Sequence, residues 1–154
     1  MPDFERSMNT LVSKVYRDVE MLENQMLSAS SLNLRIGEIH MLEALQQDGR
    51  DGMATIGELS EIFSISPPSV TTTVNKLEAK GFVKRCRCDS DGRVVEVHLT
   101  QKGSKAERAH RYFHRTMVRK IAAELSEAEK DALVKGVTKL DLFLQDSLKK
   151  YETI

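Results

Sequence analysis

Apolar residues recur at spacings of three and four along most of this chain. Met8, Leu11, Val12, Val15, Val19, Leu22 and Met26 form one such stripe and predict a helix over residues 5–27. The polar run "SASSLN" interrupts it. Ile36, Ile39, Leu42 and Leu45 predict a second helix over 35–47, which "QDGRDG" ends. Thr55 and Glu58 have the spacing of a capping box and open a short third helix, with Leu59, Ile62 and Phe63 expected inward. A turn at Ser64–Ser66 leads into a fourth helix over 67–80. The period then changes to two. Residues 82–87 and 94–99 read as strands, Val95, Val97 and Leu99 alternating with Val94, Glu96 and His98. Asp91-Gly92 between them suits a tight hairpin turn. Thr100 is placed to cap a helix over about 101–125, lined on one side by Ala106, Ala109, Phe113, Met117, Ile121 and Leu125. Ser126 and Glu129 form a further capping box, and Leu133, Val137, Leu140, Leu144 and Leu148 carry the last helix to about 149. The order defines a mainly α chain with a small β-hairpin wing. A winged helix-turn-helix occupies residues 35–100, flanked at 1–34 and 101–154 by helical regions expected to dimerise, all in one intertwined domain.

The fourth helix is the anomaly. It begins beside Pro67 and Pro68 and carries Thr71, Thr72 and Thr73, although threonine is a mediocre helix former. At 100° per residue, Val70, Val74 and Leu77 share the buried side, while Pro68, Thr72, Asn75 and Ala79 point away, flanked by Thr71 and Lys76. An ordinary solvated face would use stronger helix formers. Short donors and acceptors suit a helix in a major groove: Thr and Ser reach either kind of base, Asn pairs with adenine, and Lys76 suits a phosphate. Either Ser66 or Pro67 is the cap, and in both cases the amide groups and dipole of this helix end are expected to face DNA. In the hairpin, Lys84, Arg85, Arg87 and Arg93 gather positive charge; Arg93 is placed to enter a narrow minor groove, with Asp91 able to orient an arginine. The candidate DNA-binding set is Ser66, Pro68, Ser69, Thr71, Thr72, Asn75, Lys76, Arg85, Asp91 and Arg93.

Charge distribution supports this although the 154-residue chain has zero formal net charge. Residues 76–120 hold 13 Lys/Arg and 5 Asp/Glu, a net of +8, so the remainder sums to −8. A segregated basic segment is the footprint of a polyanion partner. No apolar run approaches the ~20 residues of a membrane span. The start "MPDFERSMNTLVSK" lacks the apolar core of a secretory signal, so no membrane partner and a cytoplasmic location are expected. Cys86 and Cys88, one residue apart, make no disulfide framework.

The segment "TIGELSEIFSISPPSVTTTVNKLEAKGFVKR…DSDGRVVEVHLTQKG" resembles the MarR family of winged helix-turn-helix regulators. The marks are Leu77-Glu-x-Lys-Gly81, Arg85, Asp91-x-Arg93 and Leu99-Thr-x-Lys-Gly103. Gly92 departs from the second basic residue of many members. The resemblance implies a homodimer joined by its first and last helices on a palindromic operator in double-stranded DNA, with Thr72 and Asn75 reading bases and Arg93 in the minor groove. "IGEIHMLEAL" (36–45) and "HRYFHRTMV" (110–118) further resemble the subgroup that represses fatty-acid synthesis genes, with long-chain acyl groups on acyl carrier protein as corepressor. That implies an acyl pocket between the second and fifth helices, with His40, Met41, Leu45, His110, Phe113, His114 and Met117 as candidates. The same residues also suit plain core.

Other chemistries fit less well. His110 and His114 are four apart on a helix, with His40 and His98 as further imidazoles, but Arg111 and Arg115 beside them oppose a cation; no metal or cofactor is expected. Cys86 and Cys88 share a strand face beside arginines, which suits thiol-based sensing or two small apolar strand residues. No phosphate loop, nucleophile elbow or convergent acid–base pair suggests an enzyme. A helical protein-interaction module is the competing class, and the polar face and wing arginines oppose it.

Overall fold

A computed structural model describes residues 2–87 and 94–151. In chain order the elements are α1 (Pro2–Ala29), α2 (Ile36–Gln47), β1 (Met53–Thr55), α3 (Ile56–Phe63), α4 (Pro67–Ala79), β2 (Val83–Arg87), β3 (Val95–Leu99), α5 (Gln101–Ala123) and α6 (Glu127–Tyr151). They divide into two compact units, Met1–Arg111 and Tyr112–Ile154. No helix among the described residues is long and apolar enough to cross a membrane. Cys88 and the hairpin tip, with Asp91, Gly92 and Arg93, lie outside the described residues.

In the first unit the core is the meeting of α2, α3, α4 and the sheet. Ile39, Leu42, Leu45, Leu59, Val70, Val74, Leu77, Phe82 and Val97 are fully buried there. The expected capping box opens α3: Thr55 Oγ1 accepts from Glu58 N at 3.1 Å, and Glu58 Oε2 accepts from Thr55 N at 2.7 Å. These bonds, the backbone one first, hold the Glu58 carboxyl below its ordinary value, with Arg50 adding to the effect. At α2 a carboxylate does the same work alone, Glu38 Oε2 accepting from Arg35 N at 2.8 Å.

The sheet is antiparallel with strand order β1-β3-β2. Arg85 faces Val97 across β2–β3, and Ala54 faces Val97 across β1–β3. The third strand, β1, was not expected. Three residues are too few to show an alternating pattern, and their partner strand is distant in sequence.

Two inward faces, on α3 and α5, differ from expectation. Ile62 is exposed, so α3 anchors through Leu59 and a half-buried Phe63. On α1, Met8, Leu11, Val12, Val15 and Leu22 stay exposed; only the end of this helix packs on α2, burying Glu23 and Leu27. The buried face of α5 in this unit is Gly103, Ala106, Glu107 and His110, and Ala109 is exposed. Gly103 sets that rotation: a Cβ there would stand 2.1 Å from the Phe82 carbonyl oxygen, so the helix start lies directly on the chain entering β2.

The second unit holds the end of α5 and α6. Ser126 and Glu129 form the expected box, Ser126 N donating to Glu129 Oε2 at 2.8 Å and Glu129 N to Ser126 Oγ at 3.4 Å. Of the stripe read from the sequence on α6, Leu133, Val137, Leu144 and Leu148 are exposed and Leu140 is half-buried.

Candidate nucleic-acid interface

Helix α4 is built in two halves around its circumference. Val70, Val74 and Leu77 are fully buried, each worth roughly 1.5–3 kcal/mol of apolar transfer. Ser69, Thr72, Asn75 and Lys76 are exposed, as are Ser66 and Pro68, while Thr71 and Thr73 are half-buried. The cap is Ser66, in extended conformation, with the two prolines at the first helical positions. This corrects one expectation. Pro67 and Pro68 have no N–H, and the next two amides, of Ser69 and Val70, both donate to Ser66 O at 2.9 and 3.2 Å. The prolines thus remove orphan donors instead of presenting them, so this helix end has no spare amides for a phosphate. Hydroxyls take their place: Ser66 Oγ and Ser69 Oγ lie 2.9 Å apart on the exposed side.

The threonines bond back to the preceding turn. Thr72 Oγ1 donates to Pro68 O at 3.0 Å and Thr73 Oγ1 to Ser69 O at 3.3 Å. With its only proton so placed, the exposed Thr72 hydroxyl presents acceptor lone pairs outward. Asn75 is held too: Arg85 Nη2 donates to its Oδ1 at 2.7 Å. Glu78 clamps Arg85 from behind, accepting from Arg85 N at 2.9 Å and pairing with Nη1. Arg85, expected to touch DNA, is therefore engaged in orienting Asn75, whose amide donors and second oxygen lone pair point outward. Asp91 and Arg93 lie outside the described residues.

The shared motif residues form the joint behind this helix. Lys80 Nζ donates to both oxygens of the buried Glu38, at 2.9 and 2.8 Å, and to Asn33 O at 2.8 Å. Gly81 turns the chain with φ of 77°, a left-handed conformation that favours glycine. Thr100 Oγ1 reaches Gly81 O at 2.8 Å and Phe82 O at 3.0 Å, and accepts from Gly103 N at 3.1 Å as the cap of α5. Lys102 Nζ lies 4.2 Å over the Phe82 ring and donates to Lys80 O at 2.6 Å.

The candidate ligand residues fall in both units. In the first, Met41 and Leu45 are closed core residues. In the second, Phe113 and Met117 are half-buried, and the Phe113 and His114 rings meet edge to face at 5.4 Å. His40 and His110, also in the first unit, lie with ring centroids 5.6 Å apart. Glu23, which the sequence reading missed, joins them. Its Oε2 is 3.6 Å from His40 Nε2 and its Oε1 3.6 Å from His110 Nε2. Glu23 shares α1 with an apolar stripe, and only the α1–α2 crossing shows that its carboxylate is buried. Glu107 is 1% exposed, and desolvation raises its carboxyl pKa against the opposing pull of Arg111, whose Nε stands 3.4 Å away.

A helix-turn-helix with a polar, exposed second helix, followed by an antiparallel wing, defines a winged helix DNA-binding protein. The profile of the MarR family matches residues 32–94. FabT of Streptococcus pneumoniae, solved in complex with DNA, superposes with a TM-score of 0.85 at 34% identity, over 92% of this chain and 97% of that one. The helix-turn-helix-type transcriptional regulator YpoP of Bacillus subtilis is 26% identical over 139 residues, 87% of this chain and 91% of that protein. The transcriptional repressor MdtR of Bacillus subtilis is 27% identical over 103 residues, 67% of this chain and 61% of MdtR. The chain belongs to the MarR family and is a DNA-binding transcriptional regulator. Members of that family are regulators, not enzymes.

Proposed function

We propose that this regulator is a repressor that binds a palindromic operator as a homodimer, and that it answers to long-chain acyl groups on acyl carrier protein in the control of fatty-acid synthesis genes. The observation that carries this reading is the near full-length likeness to FabT, together with the subgroup resemblance of residues 36–45 and 110–118. The homodimer is supported by the exposed apolar stripes of α1 and α6, which one protomer leaves in water. Repression is supported by the likeness to MdtR.

The test is a fluorescence-anisotropy titration with DNA from upstream of fatty-acid synthesis genes, at several salt concentrations, with and without long-chain acyl carrier protein. Binding well above that to a random duplex, falling with salt and strengthened by the acyl carrier, is the expected result. Binding indifferent to the acyl carrier would overturn the effector while leaving the regulator. Equal affinity for a random duplex would overturn the operator.

A further inference from the structure

The first unit contains a second chemical constellation, away from the DNA-reading helix. Glu23 comes from α1, His40 from α2 and His110 from α5, and one donor atom of each lies within 4.8 Å of the other two. The Glu23 carboxylate spans the imidazoles, one oxygen 3.6 Å from each Nε2. At that distance the contacts are long for hydrogen bonds. One donor from each residue spans up to 4.8 Å, and donors about 2.0–2.2 Å from a tetrahedral zinc stand about 3.3 Å from one another, so an ion would draw the three side chains inward.

The surroundings favour a metal. His110 is 1% exposed, and its other nitrogen, Nδ1, lies 3.7 Å from Glu43 Oε2, beyond hydrogen-bond reach but close enough for the carboxylate's charge to favour a positive ion at the ring. Glu107 is buried one helical turn before His110, and among the described residues neither of its oxygens has a hydrogen-bond partner. Two carboxylates, Glu23 and Glu43, lie within 3.7 Å of the imidazoles. The Arg111 guanidinium, expected from the sequence to repel a cation, is paired with Glu107. His40, at 39% side-chain exposure, leaves the cluster open to solvent on one side, where an ion enters and a water completes its shell.

We propose that Glu23, His40 and His110 form a binding site for a divalent transition metal of the zinc type. Two imidazoles and one carboxylate, with a fourth position open, suit Zn²⁺ and Co²⁺ far better than Mg²⁺ or Ca²⁺, which take oxygen ligands. An ion there would tie α1, α2 and the start of α5 to one another.

The full-length protein, freed of metal with a chelator, is titrated with Co²⁺ and followed by visible absorption, then back-titrated with Zn²⁺. Intense d–d bands saturating at one Co²⁺ per chain, bleached by Zn²⁺, are expected, with a higher Tm in Zn²⁺ and none in Mg²⁺. His40→Ala, at a half-exposed position that tolerates truncation, abolishes the bands while the circular dichroism spectrum is unchanged. Glu23→Gln weakens them at least tenfold. His98→Ala, in a histidine of β3, leaves them intact. Absence of bands in the parent protein, or bands that persist in His40→Ala and Glu23→Gln, would overturn the site and reduce the cluster to an ion-paired helix junction.

Discussion

Asn75 does not reach outward on its own; Arg85 decides how its amide lies. We propose that Asn75 reads a base; its replacement with alanine is then expected to cost about 1–3 kcal/mol of discrimination there, with little change for a random duplex. Arg85→Lys separates positioning from charge. Lysine keeps the positive charge but cannot span Glu78 and Asn75 with a planar fork. It is expected to lose part of the same discrimination while the dependence of affinity on salt is unchanged. Titrations of operator and random duplex at several salt concentrations check both variants, and an equal loss on both duplexes would make Arg85 a phosphate contact. The outward angle of Thr72 and Asn75 was legible from helical geometry. The Arg85–Glu78 clamp was not, because it depends on how β2 leaves Gly81. The missing N–H of a proline at this helix start was legible too, but not that the amides of Ser69 and Val70 both turn back to Ser66 O.

At the scale of elements, the capping box of α3 links local sequence to pH. Hydrogen bonding lowers the Glu58 pKa from 4.5, so the stabilisation is fully present above about that pH and lost as pH falls through the lowered value. Thr55→Ala is expected to cost about 1 kcal/mol at pH 7. Denaturant melts of Glu58→Gln and the parent across pH 3 to 7 should converge at the acid end; a constant gap would mean that the carboxylate's charge is irrelevant. Gly103→Ala is expected to destabilise by about 1–3 kcal/mol, since the new methyl meets backbone that cannot yield cheaply. A Tm within a degree of the parent would show that α5 can slide. Helices were readable here because each carries its own period and cap. The face of α5 was read less well: periodicity gives a stripe, and tertiary packing decides which stretch of it is covered. The Glu23–His40–His110 cluster draws on three elements, and no spacing in the chain announces it.

On the scale of the whole molecule, one protomer leaves the apolar residues of α1 and α6 exposed, and in the homodimer we propose a second copy covers them. Sedimentation at micromolar concentration should show a dimer. Leu133→Asp combined with Val137→Asp on α6 should yield a monomer that retains its helical spectrum and loses most of its affinity for a palindrome, whose half-sites lie about 34 Å apart. A dimer that survives both charges would place the interface elsewhere. The division of α4 into a buried aliphatic side and an exposed polar side has a consequence beyond one operator. The residues that hold this helix in place are not those we propose meet DNA, so its outward letters can be exchanged without touching the core. After gene duplication, a few base changes in the codons for Ser69, Thr72 or Asn75 would give a daughter protein a new target at little cost to folding. Regulatory circuits built on this scaffold can thus diverge faster than the scaffold itself.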